Sequence, residues 1–170
     1  MNRRYWIGGA AAVAALAGAG TALWQGRQPD AAGQPPWGLR FSQPDGSELV
    51  MASLLGKPLV LNFWATWCPP CVHELPELDR FQRDHQGKGW RVVGLAVDGP
   101  TPVREFLARR PLSFPVGLAG LEGTELSRAL GNERGGLPFT VVFDRSGRAV
   151  WHKAGQTDYQ ELAVRAKAIG

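Results

Sequence analysis

Residues 59–71 read Leu59-Val60-Leu61-Asn62-Phe63-Trp64-Ala65-Thr66-Trp67-Cys68-Pro69-Pro70-Cys71. The apolar run Leu59-Val60-Leu61, bounded by Gly56 and Cys68, predicts a strand over Pro58–Trp64 that is buried on both faces. Beyond the cysteines, Val72, Leu75, Leu78 and Phe81 recur at helical spacing, which predicts a helix over Pro69–His85 with a kink at Pro76. A buried strand therefore runs directly into a helix, and two cysteines stand at the junction.

Working outward, the turn Pro44-Asp45-Gly46-Ser47 joins the expected strands Leu39–Gln43 and Glu48–Ala52 as a hairpin. Trp90–Val97 reads as a strand ended by Asp98-Gly99-Pro100, and Thr101–Arg110 as a helix capped by Thr101. Phe114–Leu118 is an expected short strand and Glu122–Leu130 a short helix closed by Gly131. Phe139–Phe143 and Ala149–Lys153 are expected strands joined by Asp144-Arg145-Ser146-Gly147, and Asp158–Ile169 is the last helix. This alternation predicts an α/β layer with a mixed sheet and no internal repeat.

The chain has 170 residues, 44% hydrophobic and 20% charged, which suits one packed domain and is too apolar for disorder. Its formal charge of +4 is partly local: three of 19 basic and one of 15 acidic residues precede residue 38, leaving a net of +2 beyond it. A surface so nearly balanced does not favour phosphate backbones, so no nucleic-acid partner is expected. Two cysteines exclude a disulfide-stapled scaffold and a four-cysteine zinc module.

At the N-terminus, Arg3-Arg4 precede an uncharged stretch from Tyr5 to Trp24, the pattern of an export segment. Two readings of residues 1–24 stand side by side. Ala17-Gly18-Ala19 fits a cleavage site and favours a signal peptide. The aromatic pair Tyr5-Trp6 and Trp24 suit two membrane interfaces and favour an anchor. Residues 25–37 turn to Gly, Pro and Gln and read as a linker, so the domain is expected over residues 38–170.

The chemistry lies at the strand–helix junction. Spacing of three puts Cys68 and Cys71 on one helix face. Cys68 falls at the helix N-terminus, where the dipole favours a thiolate, the attacking species in thiol–disulfide exchange. Cys71, one turn inside, is the resolving thiol. Pro69 and Pro70 suit the first helical turn. Half of a zinc site would need further ligands, for which only His73, His85 and His152 are on offer. A static disulfide closing so short a loop would add little stability. Redox exchange explains the arrangement best.

The stretch Asn62–Cys71, with Gly136-Leu137-Pro138-Phe139-Thr140 downstream, resembles the thioredoxin superfamily. More narrowly, it resembles the exported thiol–disulfide oxidoreductases of the TlpA/ResA type, from Gly38 to Gly170. The resemblance implies a thioredoxin-like fold: a mixed central sheet flanked by helices, an N-terminal β-hairpin and a strand/helix insertion over Trp90–Leu130. It implies a cis Leu137–Pro138 peptide facing the dithiol, in a turn whose backbone groups are free to pair with substrate; the plainer reading of Pro138 is a strand-opening proline. Trp67 is expected to offer an apolar surface beside Cys68, while Phe63 and Trp64 belong to the core. Where plain thioredoxins bury an Asp beneath the dithiol, this chain has Asn62, which cannot take a proton. Glu74, three residues beyond Cys71, is the replacement to expect, against the alternative of a solvated helix carboxylate. His73 reads as an exposed helix residue.

By this resemblance the protein reduces disulfides in substrate proteins that carry cysteine pairs. A membrane electron-donor thiol transporter recharges it, it needs no bound cofactor, and it works on the periplasmic side of an inner membrane, tethered or released. Two other functions share some of these residues. A peroxiredoxin-type peroxidase needs a threonine three residues before its reactive cysteine, where this chain has Ala65. A dithiol copper-binding chaperone would use the same two thiolates as soft ligands.

Overall fold

A computed structural model describes residues 35–169. Strands β1 (Arg40–Ser42) and β2 (Glu48–Val50) form an antiparallel hairpin. The hairpin turn is closed by Asp45, whose Oδ1 accepts hydrogen bonds from the Ser47 N–H at 2.9 Å and hydroxyl at 2.6 Å. There follow β3 (Leu59–Trp64), α1 (Pro69–His85), β4 (Arg91–Ala96), α2 (Pro100–Arg109), β5 (Val116–Leu118) and α3 (Glu122–Ala129). The chain ends with β6 (Phe139–Phe143), β7 (Ala149–Ala154) and α4 (Tyr159–Ile169).

The main sheet has the order β5-β4-β3-β6-β7, with β3 parallel to β4 and antiparallel to β6. All six residues of β3 are buried, the polar Asn62 among them, as a strand covered on both faces requires. Successive side chains of β3 alternate between two cores. Val60 and Trp64 join Val92, Ala96 and Val142 beneath α1, α2 and α4, which contribute Leu75, Leu78, Phe81, Val103, Phe106 and Leu162. Leu59, Leu61 and Phe63 point the other way, with Val93, Leu95, Phe139 and Val141, toward the hairpin and α3. Asn62 lies on the α1 side by this alternation. The expected mixed sheet between helical layers is the observed architecture.

Two glycines let the layers close. A Cβ at Gly117 would stand 2.8 Å from Leu95 and 2.9 Å from Phe41, so its absence admits the β1–β2 hairpin onto β5. A Cβ at Gly94 would stand 3.0 Å from the Trp64 indole, which lies across β4 at that point. Asp79 of α1 fastens the opposite layer, accepting from the Ser113 N–H at 2.6 Å and hydroxyl at 2.7 Å.

Most expected elements occur within two residues of their expected ends, and Pro69–His85 coincides with α1. Two expectations need correcting. Helix α2 begins at Pro100 with Gly99 as its cap, not at Thr101; a proline favours the first helical position because it has no N–H to leave unpaired. The expected linker, residues 25–37, ends inside the folded domain. Trp37 is 1% exposed, packs edge-on against Phe143 with ring centroids 5.2 Å apart, and donates its indole N–H to the Gly147 carbonyl at 2.8 Å. Its lack of apolar neighbours in sequence hid this, since its partners are about a hundred residues away. The expected export segment and most of the expected linker lie outside the described residues. Among the described residues no helix is long and apolar enough to cross a membrane.

Trp37 therefore behaves as a core residue. Trp37→Ala is expected to lower the unfolding free energy by about 3–5 kcal/mol, and Trp37→Phe by less, measured by denaturant titration of the oxidised protein.

Candidate active site

The site forms where β3 ends. The chain turns at Ala65–Trp67, and Cys68 becomes the N-cap of α1 in extended conformation. Cys68 and Cys71 are joined as a disulfide with Cα atoms 5.3 Å apart. Pro69 and Pro70 occupy the first two helical positions and have no N–H to offer. The first donor of the helix is therefore Cys71 N–H, and it points at Cys68 Sγ, 3.3 Å away. The dipole end expected to favour a thiolate is thus delivered through one directed hydrogen bond rather than a ring of free N–H groups. Cys68 is 5% exposed and Cys71 fully buried, so an incoming sulfur can approach only the first.

The loop carrying Trp67 is held from the side by Asp98, at the end of β4. Its Oδ2 accepts from the Thr66 N–H at 3.0 Å and from the Thr66 hydroxyl at 2.5 Å, and its Oδ1 from the Gly99 N–H at 2.7 Å. Trp67 is 67% exposed, a large apolar surface beside Cys68. A groove of about 620 Å³ runs from Trp67 past Asp98 and Leu121 to Leu137. The Leu137–Pro138 peptide is cis, as the resemblance implied. The loop before it is secured by buried Asn132, which donates to the Gly136 carbonyl at 2.8 Å and the Ser127 hydroxyl at 3.1 Å.

Beneath the disulfide, Glu74 is completely buried, which removes the solvated alternative. Its Oε1 accepts from Asn62 Nδ2 at 2.7 Å, and its Oε2 from the Thr157 N–H at 2.8 Å. The same Asn62 amide donates to the Thr140 hydroxyl at 3.0 Å. Burial pushes the Glu74 carboxyl up to about 7, against the two hydrogen bonds and the Lys153 ammonium, which pull it down. Asn62, which does not titrate, thus holds the residue that does. His73 is exposed, and Phe63 and Trp64 are fully buried, as expected.

Sequence reasoning missed Asp98, Asn132 and Thr157. The first had a signal, since Asp-Gly-Pro after a strand is a capping and turn sequence. Thr157 had none, because it contributes its backbone N–H from 83 residues beyond Glu74. Among the described residues no group of three or more His, Cys, Asp or Glu is placed to hold a metal ion.

Comparison with known proteins agrees with this geometry. Residues 29–166 match the Redoxin family. The thiol-disulfide oxidoreductase ResA of Geobacillus thermodenitrificans is 32% identical over 130 residues, covering 76% of this chain and 72% of that protein. ResA of Bacillus anthracis is 29% identical over 126 residues, covering 74% and 70%. A solved structure of a thiol:disulfide interchange protein of the thioredoxin family, from Chlorobium tepidum TLS, superposes with a TM-score of 0.67. It is 29% identical and covers 77% of this chain and 92% of its own. With the Cys68–Cys71 disulfide at the head of α1 and Leu137–Pro138 in its loop, this chain belongs to the Redoxin family, as a thiol–disulfide oxidoreductase of the ResA type.

Proposed function

We propose that the protein reduces disulfides in other proteins with Cys68 as nucleophile, Cys71 as resolving thiol and Glu74 as proton acceptor. The observation that carries this is the difference in access along one helix face: Cys68 still 5% exposed, Cys71 fully buried one turn on, and a buried carboxyl one turn further. In the reduced enzyme, the Cys68 thiolate attacks one sulfur of the substrate disulfide. A Cys68–substrate bond forms, the substrate S–S bond breaks, and the leaving thiolate takes a proton from water. The Cys71 thiol then gives its proton to the Glu74 carboxylate, and the Cys71 thiolate attacks Cys68 Sγ. The Cys68–Cys71 bond forms and the second substrate sulfur leaves, so two electrons pass to the substrate. A carboxyl that titrates near 7 is matched to this task at neutral pH.

Trp67, Leu137 and Pro138 are the substrate-binding residues in this reading, supported by the apolar groove that Trp67 and Leu137 share. The peroxidase alternative is weakened at Thr66, whose hydroxyl is occupied by Asp98. The paired arginines and uncharged run at residues 3–24 support a location outside the cytoplasmic membrane, anchored or released on the periplasmic side. A reductase in oxidising surroundings has to be recharged, which calls for a membrane thiol transporter that reduces the same disulfide. The Cys68–Cys71 reduction potential tests the direction: a value nearer about −270 mV than about −120 mV supports reduction, and the reverse supports oxidation.

The cysteine roles predict an asymmetry. Cys71→Ser is expected to accumulate a mixed disulfide with substrate and Cys68→Ser none, read by non-reducing electrophoresis; equal alkylation rates of both reduced thiols at neutral pH would contradict the assignment.

Glu74→Gln is expected to lower the apparent pKa of the Cys68 thiol, because a like charge is removed, and to slow reduction of a protein disulfide while the fold persists. A tenfold change in the acidity of the thiol corresponds to about 1.4 kcal/mol, well within reach of thiol titration.

The same carboxyl leaves a mark on stability. Its pKa is higher folded than unfolded, so the unfolded chain gives up this proton first as pH rises. The contribution is fully present below about pH 4.5 and is lost by the time pH has passed about 7, amounting to about 3 kcal/mol. Denaturant titrations of oxidised wild type and Glu74→Gln across this range are expected to show that extra loss in the wild type alone.

A further inference from the structure

The strand registers place three polar side chains in one row across the sheet. Asn62 of β3 is paired with Thr140 of β6, and Thr140 with Lys153 of β7. Residues paired across neighbouring strands share a face, so the row lies on the α1 side, directly below Glu74. Its inner end is closed, since Asn62 and Thr140 are fully buried. Its outer end is open, for the Lys153 side chain is 35% exposed and forms an ion pair at 2.5 Å with Glu161 of α4, itself 26% exposed. Thr157 bridges the two carboxyls: its N–H donates to Glu74 at 2.8 Å and its hydroxyl to Glu161 at 3.0 Å.

The groups around Glu74 are therefore Asn62 from β3 and Thr157 from the loop after β7, which bond it directly, with Thr140 of β6 behind Asn62, Glu161 of α4 behind Thr157, and Lys153 of β7 at the end of the row. From α1 itself come Cys71 and Glu77, the latter accepting from the Tyr159 N–H at 3.3 Å. Within this set Lys153 is the cation, and Glu161 and Glu77 carry the like charge. We propose that Lys153 is a positioning residue for the proton step: its ammonium, held by Glu161 at the open end of the row, keeps Glu74 in the carboxylate form that receives the Cys71 proton. Glu161 acts in the opposite sense, by drawing the ammonium toward itself. The attraction of Lys153 for the ionised carboxyl agrees with this placement. Partial burial keeps such interactions from being fully screened.

This inference rests on the proton-acceptor role proposed for Glu74, and one experiment separates the two. Pre-reduced protein is mixed rapidly with a protein disulfide, and the rate at which the Cys68–substrate mixed disulfide is resolved by Cys71 is followed from pH 5 to pH 9. Glu74→Gln is expected to abolish the lower limb of the profile. Lys153→Met is expected to move that limb up by about half a pH unit or more, and Glu161→Gln to move it down. Lys153→Arg restores the wild-type position, and Lys153→Met adds nothing in the Glu74→Gln background. A merely structural ion pair would respond alike to loss of either partner, so shifts of the same sign, or none, with the Glu74 limb still present overturn the role of Lys153. If Glu74→Gln leaves the limb in place, the proton-acceptor reading itself fails and this inference falls with it.

Discussion

Asn62 occupies the middle of a strand covered on both faces, where a carboxamide without partners would cost several kcal/mol. It spends its amide protons on Glu74 and Thr140 and thereby ties α1 to the centre of the sheet. The rest of the site follows from that tie. Glu74 is drawn under the helix, which leaves Cys71 buried one turn above it and Cys68 at the rim. The Thr157 N–H, from the loop between β7 and α4, completes the enclosure on the same side of the sheet. A buried carboxyl with two hydrogen bonds and a cation near it remains titratable around neutrality, whereas without them it would hold its proton more tightly.

Rigidity and access are divided around the same point. The two prolines at the head of α1 restrict the helix start to one conformation and route its first N–H to Cys68 Sγ. Asp98 and Asn132 secure the two loops that flank the disulfide, and neither touches a sulfur. Between these loops the groove remains open, with Trp67 and Leu121 as exposed apolar surface. The groove and the disulfide are thus adjacent but separately supported parts of the chain.

Hydrophobic periodicity and residue chemistry sufficed for much of this. Strand β3, helix α1 and both hairpins were legible because each is specified by neighbours within a few residues. So were the pairing of the two cysteines at the head of α1 and the candidacy of Glu74, since helical spacing places all three on one face. Helix α2 was displaced at its start because Pro100 and Thr101 both carry N-terminal signals, and the proline at the first position took precedence.

The remainder depended on contacts between distant segments. Trp37 looked like the end of a linker, and became a core residue only when Phe143 and Gly147 met it across the fold. Glu74 was identifiable as a carboxylate near Cys71, but its burial and raised pKa arise from desolvation between α1 and the sheet, which no local pattern encodes. Lys153 is an ordinary basic residue of an edge strand until the register of β6 on β7 carries it to the end of the Asn62–Thr140 row. Local sequence determines which groups are present and how a helix or strand displays them. Packing determines which of them lose water, and that loss is what makes a carboxyl responsive at neutral pH.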